Sequence, residues 1–138
     1  MINIVTEKIN IDEVFQSVED PTAGGIDVFI GTTRNNSNGK QVLSLAYEAY
    51  TPMALKMMHD LAREAHQRWH TTKISIVHRI GSVDIGEASV VIAVSSAHRK
   101  EAFEACRYLI DTLKKNVPIW KKEIVADGEF WVGAQEPS

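Results

Sequence analysis

The chain has 138 residues, 44% of them hydrophobic and 24% charged, which suits a folded domain and is too apolar for a disordered one. A globule of this size buries roughly 65–70% of the surface its unfolded chain exposes, so one ordinary core suffices without a disulfide or metal staple. The net charge of -3 argues against a protein that holds nucleic acid mainly by neutralising phosphates, so any positive site must be local.

Cys106 is the only cysteine, which excludes an internal disulfide and a cluster of thiolate ligands and fits a reducing compartment. The longest apolar runs, such as Ala88 to Val94 with Ser89 inside, fall far short of the ~20 residues that span a bilayer. The N-terminus lacks a basic region followed by an apolar stretch, so a cytoplasmic protein without membrane contact is expected.

Met1 to Ile9 alternates weakly around Ile2, Ile4 and Ile9 and reads as a first strand. Asn10 is placed to cap a short helix from Ile11 to about Val18, with Asp12 and Glu13 in the first turn, and Asp20-Pro21 stops it. Ile26 to Gly31 is rich in branched and aromatic residues and predicts a strand. Arg34 to Lys40 is almost entirely turn chemistry before alternation resumes over Val42 to Tyr50, and a hairpin with a mobile polar loop is expected. Thr51-Pro52 resembles an N-cap with proline at the first helical position, followed by Met53, Met57, Leu61, Ala65 and Trp69 along one stripe. Ile74 to Ile80 and Ala88 to Ser95 predict two strands joined by a turn-rich segment, the second apolar on both faces and therefore central.

Ser96 is placed to cap a helix from about Ala97 to Lys115, whose apolar face is Ala102, Cys106, Leu109, Ile110 and Leu113. Asn116 and Pro118 end it. Ile119 to Val125 and Glu129 to Val132 form a terminal hairpin around Ala126-Asp127-Gly128. With no repeat, low-complexity tract or linker, residues 1–138 read as a single α+β domain, a mixed or antiparallel sheet with packed helices.

Four lysines fall within Leu113 to Lys122, where a helix ends and a strand begins. The ordinary reading is cations complementing a helix dipole on a solvated surface. The sharper one is that Lys114 and Lys121 converge on a pocket beside Pro118-Ile119-Trp120, where a desolvated lysine would act as acid, base or anion holder. Ser95-Ser96-Ala97-His98-Arg99 stands at a strand-to-helix junction, which is either an ordinary cap or an anion site completed by His98 and Arg99. Arg34 opens a polar loop and alone signals little. His78 and Arg79 read as structural. His59, His66 and His70 lack a third ligand for a metal, and Cys106 on the apolar stripe reads as a buried small hydrophobe with a poor thiolate.

Several stretches together resemble the molybdopterin synthase large-subunit family over about Gly24 to Val132. They are Phe29-Ile30-Gly31-Thr32-Thr33-Arg34, Tyr47-Glu48-Ala49-Tyr50, Met53-Ala54, His78-Arg79-Ile80-Gly81, Gly86-Glu87, Ser95-Ser96-Ala97-His98-Arg99, Ala102-Phe103 and Lys114 through Glu123. Their order and spacing carry the resemblance, the last block most of all, and Thr33 departs from the valine more usual there.

The resemblance implies an α/β-hammerhead-like fold with an added α+β portion and an enzyme that puts two sulfur atoms onto cyclic pyranopterin monophosphate, giving the molybdopterin dithiolene. It implies a small ubiquitin-like sulfur-carrier subunit with a thiocarboxylated C-terminal glycine and a homodimer within a heterotetramer, and the residues themselves give no reason to expect a resident cofactor or metal. Carried over by position, Lys114 lies near the incoming thiocarboxylate, Lys121 near the pterin, and Arg34, His98 and Arg99 hold anions such as the substrate phosphate. The leading rival is a non-catalytic binding module for a phosphorylated metabolite. A nucleic-acid-binding domain using the lysines and Trp120 is disfavoured by the acidic balance.

Overall fold

The computed structural model describes residues 1–132. In chain order the elements are β1 (Ile2–Val5), α1 (Ile11–Ser17), β2 (Gly25–Thr32), β3 (Asn36–Ser37), β4 (Lys40–Gln41), β5 (Ser44–Ala49), α2 (Thr51–Trp69), β6 (Lys73–Arg79), β7 (Gly81–Asp84), β8 (Ala88–Ser96), α3 (Arg99–Asn116), β9 (Ile119–Val125) and β10 (Gly128–Val132). The architecture is the expected α+β class: one mixed sheet in the order β1-β6-β8-β2, one antiparallel sheet in the order β10-β9-β5-β7, and helices packed on the first.

β8 is buried at all nine positions because both faces of the first sheet are covered. Val90, Ile92 and Val94 point toward α2 and α3 and join Met58, Ile76 and Leu109. Val91 and Ala93 point the other way and join Val14 and Val18 of the α1 side. Burying each such branched side chain is worth about 1.5–3 kcal/mol, which makes β8 the spine of the molecule and fits the central place its sequence predicts. α1 starts as expected, with the Asn10 side chain accepting from the Glu13 N–H.

Four expectations change. First, β2 and β5 do not form a hairpin: β2 pairs with β8, while β5 lies in the other sheet between β9 and β7. The polar segment between them folds on itself as the short β3–β4 ladder. Second, the turn-rich link between β6 and β8 contains β7, which leaves the first sheet to edge the second, Gly81 turning the chain with φ of +87°. Third, the N-cap of α2 is Tyr50 and Thr51 is already helical. The buried face of α2 is Ala54, Met58, Leu61 and Ala65, whereas Met53 is 49% exposed. A strict four-residue step drifts about 40° around a helix each time, so the Met53-to-Trp69 series wraps off the core while mixed steps of four and three stay on one face.

Fourth, Ser96 does not cap α3. It is strand, paired with Gly25, and its carbonyl accepts from the Gly24 N–H at 2.9 Å. α3 begins at Arg99 with His98 at the N-cap and no side-chain cap bond. The start of the helix packs so tightly on the chain before β2 that a Cβ on Gly24 would lie 2.3 Å from the Ala97 carbonyl oxygen. The apolar face of α3 and the β9–β10 hairpin are as the sequence predicts.

Candidate active site

The site forms where α3 runs out. Lys114 and Lys115 occupy its last turn, Val117 takes an extended backbone, and Pro118 offers no N–H to prolong the helix. The chain then reverses into β9, and the Pro118 carbonyl accepts from the Tyr50 N–H at 3.2 Å, tying the reversal to the start of α2. Lys121 is thereby returned to face the helix end it has just left, opposite Tyr47 in the β5–β9 register.

Two cavities open there, of ≈ 320 Å³ and ≈ 210 Å³, and Tyr47, Ser89, Lys114 and Lys121 line both. They are the chambers of one cleft with a lysine pair at the boundary. The larger chamber is walled by His78, Pro118 and Trp120 and the smaller by Phe29, Arg34 and Glu123, among others. The cleft lies at the seam of the fold: His78 and Ser89 come from the first sheet, Tyr47 and Lys121 from the second, and Lys114 from the helix between.

Lys114 opens onto the cleft, yet the surrounding protein strips solvent from its ammonium and the like charge of Lys121 adds to the effect, so its pKa falls from 10.5 to about 8. At neutral pH about a tenth of such lysines are already neutral, against a negligible fraction for an ordinary one. Tyr47 is buried with its phenol pKa pushed up by burial, a hydrogen bond from Ser89 working the other way. It meets His78 edge-on, with ring centroids 5.0 Å apart. The cleft can therefore hold anions and move protons.

Of the residues singled out from the sequence, the structure brings Lys114, Lys121 and Arg34 together around this cleft. It leaves His98 and Arg99 exposed at the other end of α3, about 22 Å from Lys114 along the helix axis. His78, Tyr47 and Ser89 are cleft residues that sequence reasoning assigned no chemistry. Their only signal was that His78 and Tyr47 fall within stretches carrying the family resemblance. Cys106 is 2% exposed on the core side of α3, and burial, with Asp27 adding to it, pushes its thiol up to about 12. It is a core residue without a usable thiolate at neutral pH. Among the described residues no group of three or more His, Cys, Asp or Glu side chains is placed to hold a metal ion.

The cleft has two chambers that share a wall carrying two lysines, with apolar and aromatic side chains around them, an arrangement suited to holding anionic groups. The MoaE protein family matches residues 4–116. The chain is 50% identical over 136 residues to the molybdopterin synthase catalytic subunit of Homo sapiens, covering 99% of this chain and 72% of that protein. It is 51% identical over 132 residues to the molybdopterin synthase catalytic subunit of Bacillus subtilis, covering 96% and 84%. The crystal structure of molybdopterin synthase from Staphylococcus aureus superposes with a TM-score of 0.90 at 43% identity over 94% of this chain and 95% of that one. A complex of subunits 1 and 2 of the molybdopterin-converting factor from Helicobacter pylori shares the fold at a TM-score of 0.80 and 20% identity, covering 98% and 92%. The chain belongs to the MoaE family of molybdopterin synthase catalytic subunits.

Proposed function

We propose that this subunit transfers sulfur from the thiocarboxylated C-terminus of a small ubiquitin-like partner to cyclic pyranopterin monophosphate, forming the molybdopterin dithiolene, and that residues 1–138 act as one catalytic domain. The observation that carries the reading is the pair of chambers sharing Lys114 and Lys121: a donor tail in one and a pterin in the other would meet at the two cations. Both reactants are anionic, so the lysines orient them and stabilise charge developing during sulfur attack. Lys114, its pKa lowered to about 8, is suited to exchange a proton near neutral pH. Arg34, in the smaller chamber, suits the substrate phosphate.

His98 and Arg99 cannot join this pocket from their own chain, so in this reading they serve the pocket of a second copy in a homodimer that carries one small partner at each end. β2 supports such an arrangement. It is an edge strand with Ile26, Phe29 and Ile30 exposed, and it runs from the Arg99 end of the molecule to the Arg34 end. A two-fold axis across it would set those ends against each other. The enzyme would work in the cytoplasm, and among the described residues no helix is long and apolar enough to cross a membrane.

The test is reconstitution. The purified chain should form no molybdopterin until the thiocarboxylated partner is added, because the only cysteine is buried and inert. Equal rates with free sulfide alone would overturn the reading, and tight binding of the pterin without turnover in the two-subunit mixture would make the chain a binding module.

A further inference from the structure

The wall of the larger chamber holds an ionisable side chain to which the roles above give no work. His78 is 4% exposed, and the other buried polar residues among those described carry only hydroxyls. Packing alone does not ask for a histidine there. A leucine or phenylalanine would fill similar space with no ring nitrogen to take out of water.

The ring is fixed on several sides. Its backbone pairs with Ile4 of β1 and Val90 of β8. Tyr47 packs edge-on against it, the two planes at 70°. Nδ1 lies 2.7 Å from the Arg79 carbonyl oxygen, and since a carbonyl can only accept, Nδ1 carries the hydrogen. Burial pushes the pKa down to about 4, with the Arg79 carbonyl opposing it and the charge of Lys114 adding to it, so the ring is neutral at pH 7. Its second nitrogen, Nε2, then holds a lone pair.

The titratable groups that share the chamber are Lys114 and Lys115 from α3, Lys121 from β9 and Tyr47 from β5, with the Ser89 hydroxyl from β8. β1 contributes Ile4 beside His78, and neighbouring Arg79 is engaged by Glu87 at 3.2 Å.

We infer that His78 is a positioning residue for Lys114: the Arg79 carbonyl locks its tautomer, so that Nε2 is a fixed acceptor in the chamber wall for the Lys114 ammonium or for the water that exchanges its proton. The inference rests on the proposed role of Lys114 in the pocket. An acceptor at this place favours the charged lysine, so His78 opposes burial and Lys121 and keeps a proton on Lys114 for delivery.

Two isosteres separate this role from simple packing. His78→Asn keeps an amide N–H near the place of Nδ1 and has nothing at Nε2, whereas His78→Gln reaches Nε2 and gives up the donor to Arg79. In single-turnover formation of molybdopterin from preloaded small partner, His78→Asn should slow the reaction at least about tenfold with KM for the pterin little changed. It should also move the Lys114 limb of the pH profile, near 8 in the parent, to lower pH. His78→Gln should stay within about threefold of the parent rate.

The reverse order, with rates tracking thermal stability, would leave His78 a packing residue and overturn the inference, as would parent-like rates and pH profiles in both variants. Nitrogen chemical shifts of His78 in the unaltered protein bear on the same point without any variant: an Nε2–H tautomer would also overturn it. Lys114→Ala, run alongside, separates the two levels. If it reacts at the parent rate, the pocket reading itself fails, whereas if it is inactive and the His78 variants are normal, only the positioning role fails.

Discussion

The two ends of α3 carry similar side chains in opposite circumstances. At its start His98, Arg99 and Lys100 stand exposed, and at its end Lys114 looks into a cleft that Lys121 also lines. The helix dipole favours cations at the C-terminal end and anions at the N-terminal end, so the cluster at the start is favourable only with an anion beside it. What makes the far end a site is enclosure. The reversal at Pro118 folds β9 back over the last turn, and the meeting of two sheets supplies the walls. Basic residues near a helix terminus are common, and the lesson is that a second layer of structure turns them into chemistry.

The largest effect should come from the enclosed end. Lys114→Ala and Lys121→Ala should each lower turnover at least ~100-fold, the lower end of what a positioned acid–base group contributes, while thermal stability barely changes because neither lies in the core. Turnover of both variants at the parent rate would break the contrast between the two ends. Affinity of the pocket for an anionic donor tail should also weaken as pH rises through about 8, where the Lys114 ammonium loses its proton.

A smaller effect is expected where the two ends are proposed to meet across a dimer. Arg34→Ala, His98→Ala and Arg99→Ala should each weaken phosphorylated substrate by about one to two decades, one charge-assisted contact of about 1.5–3 kcal/mol, measured by calorimetry. Mixing Arg99→Ala subunits with Lys114→Ala subunits sharpens the comparison. If the far end serves a second copy, random re-association restores about a quarter of the sites, whereas a site built within one chain stays impaired in every combination.

The smallest effect on activity should follow changes at the core face of the same helix. Cys106→Ser places a hydroxyl among Ile92, Leu109 and their neighbours and should lower stability by about 1–3 kcal/mol, while the folded enzyme transfers sulfur at near the parent rate. Cys106→Ala should cost less. Loss of turnover in folded cysteine variants would give Cys106 a part in the reaction and break the assignment to the lysines.

Much of this was legible before any coordinates. The apolar face of α3, the unbroken apolar run of β8 and the Asn10 cap each depend on neighbours within a turn or on simple alternation, and each stands where the sequence put it. The placing of Lys114 and Lys121 on one pocket was also within reach, because only a helix stop and a reversal separate them. The start of α3 was misplaced because Ser96 satisfies the rule for a cap locally, while the ladder to Gly25 claims its backbone first.

The amino-acid sequence by itself determined the three helices and the longer strands, the central strand, the α+β class and the family, since periodicity, turn residues and spaced stretches are properties of the chain alone. Only the tertiary structure decided that β2 and β5 part into different sheets, that β7 leaves its neighbours, and that His78 and Tyr47 meet behind the lysines. Those outcomes depend on which strands pair over long separations, and pairing is selected by burial summed over the whole core rather than by any residue's preference. The chemistry of His78 belongs to the second kind. Its tautomer and neutrality follow from burial and from one carbonyl, and neither exists until the sheets have closed around it.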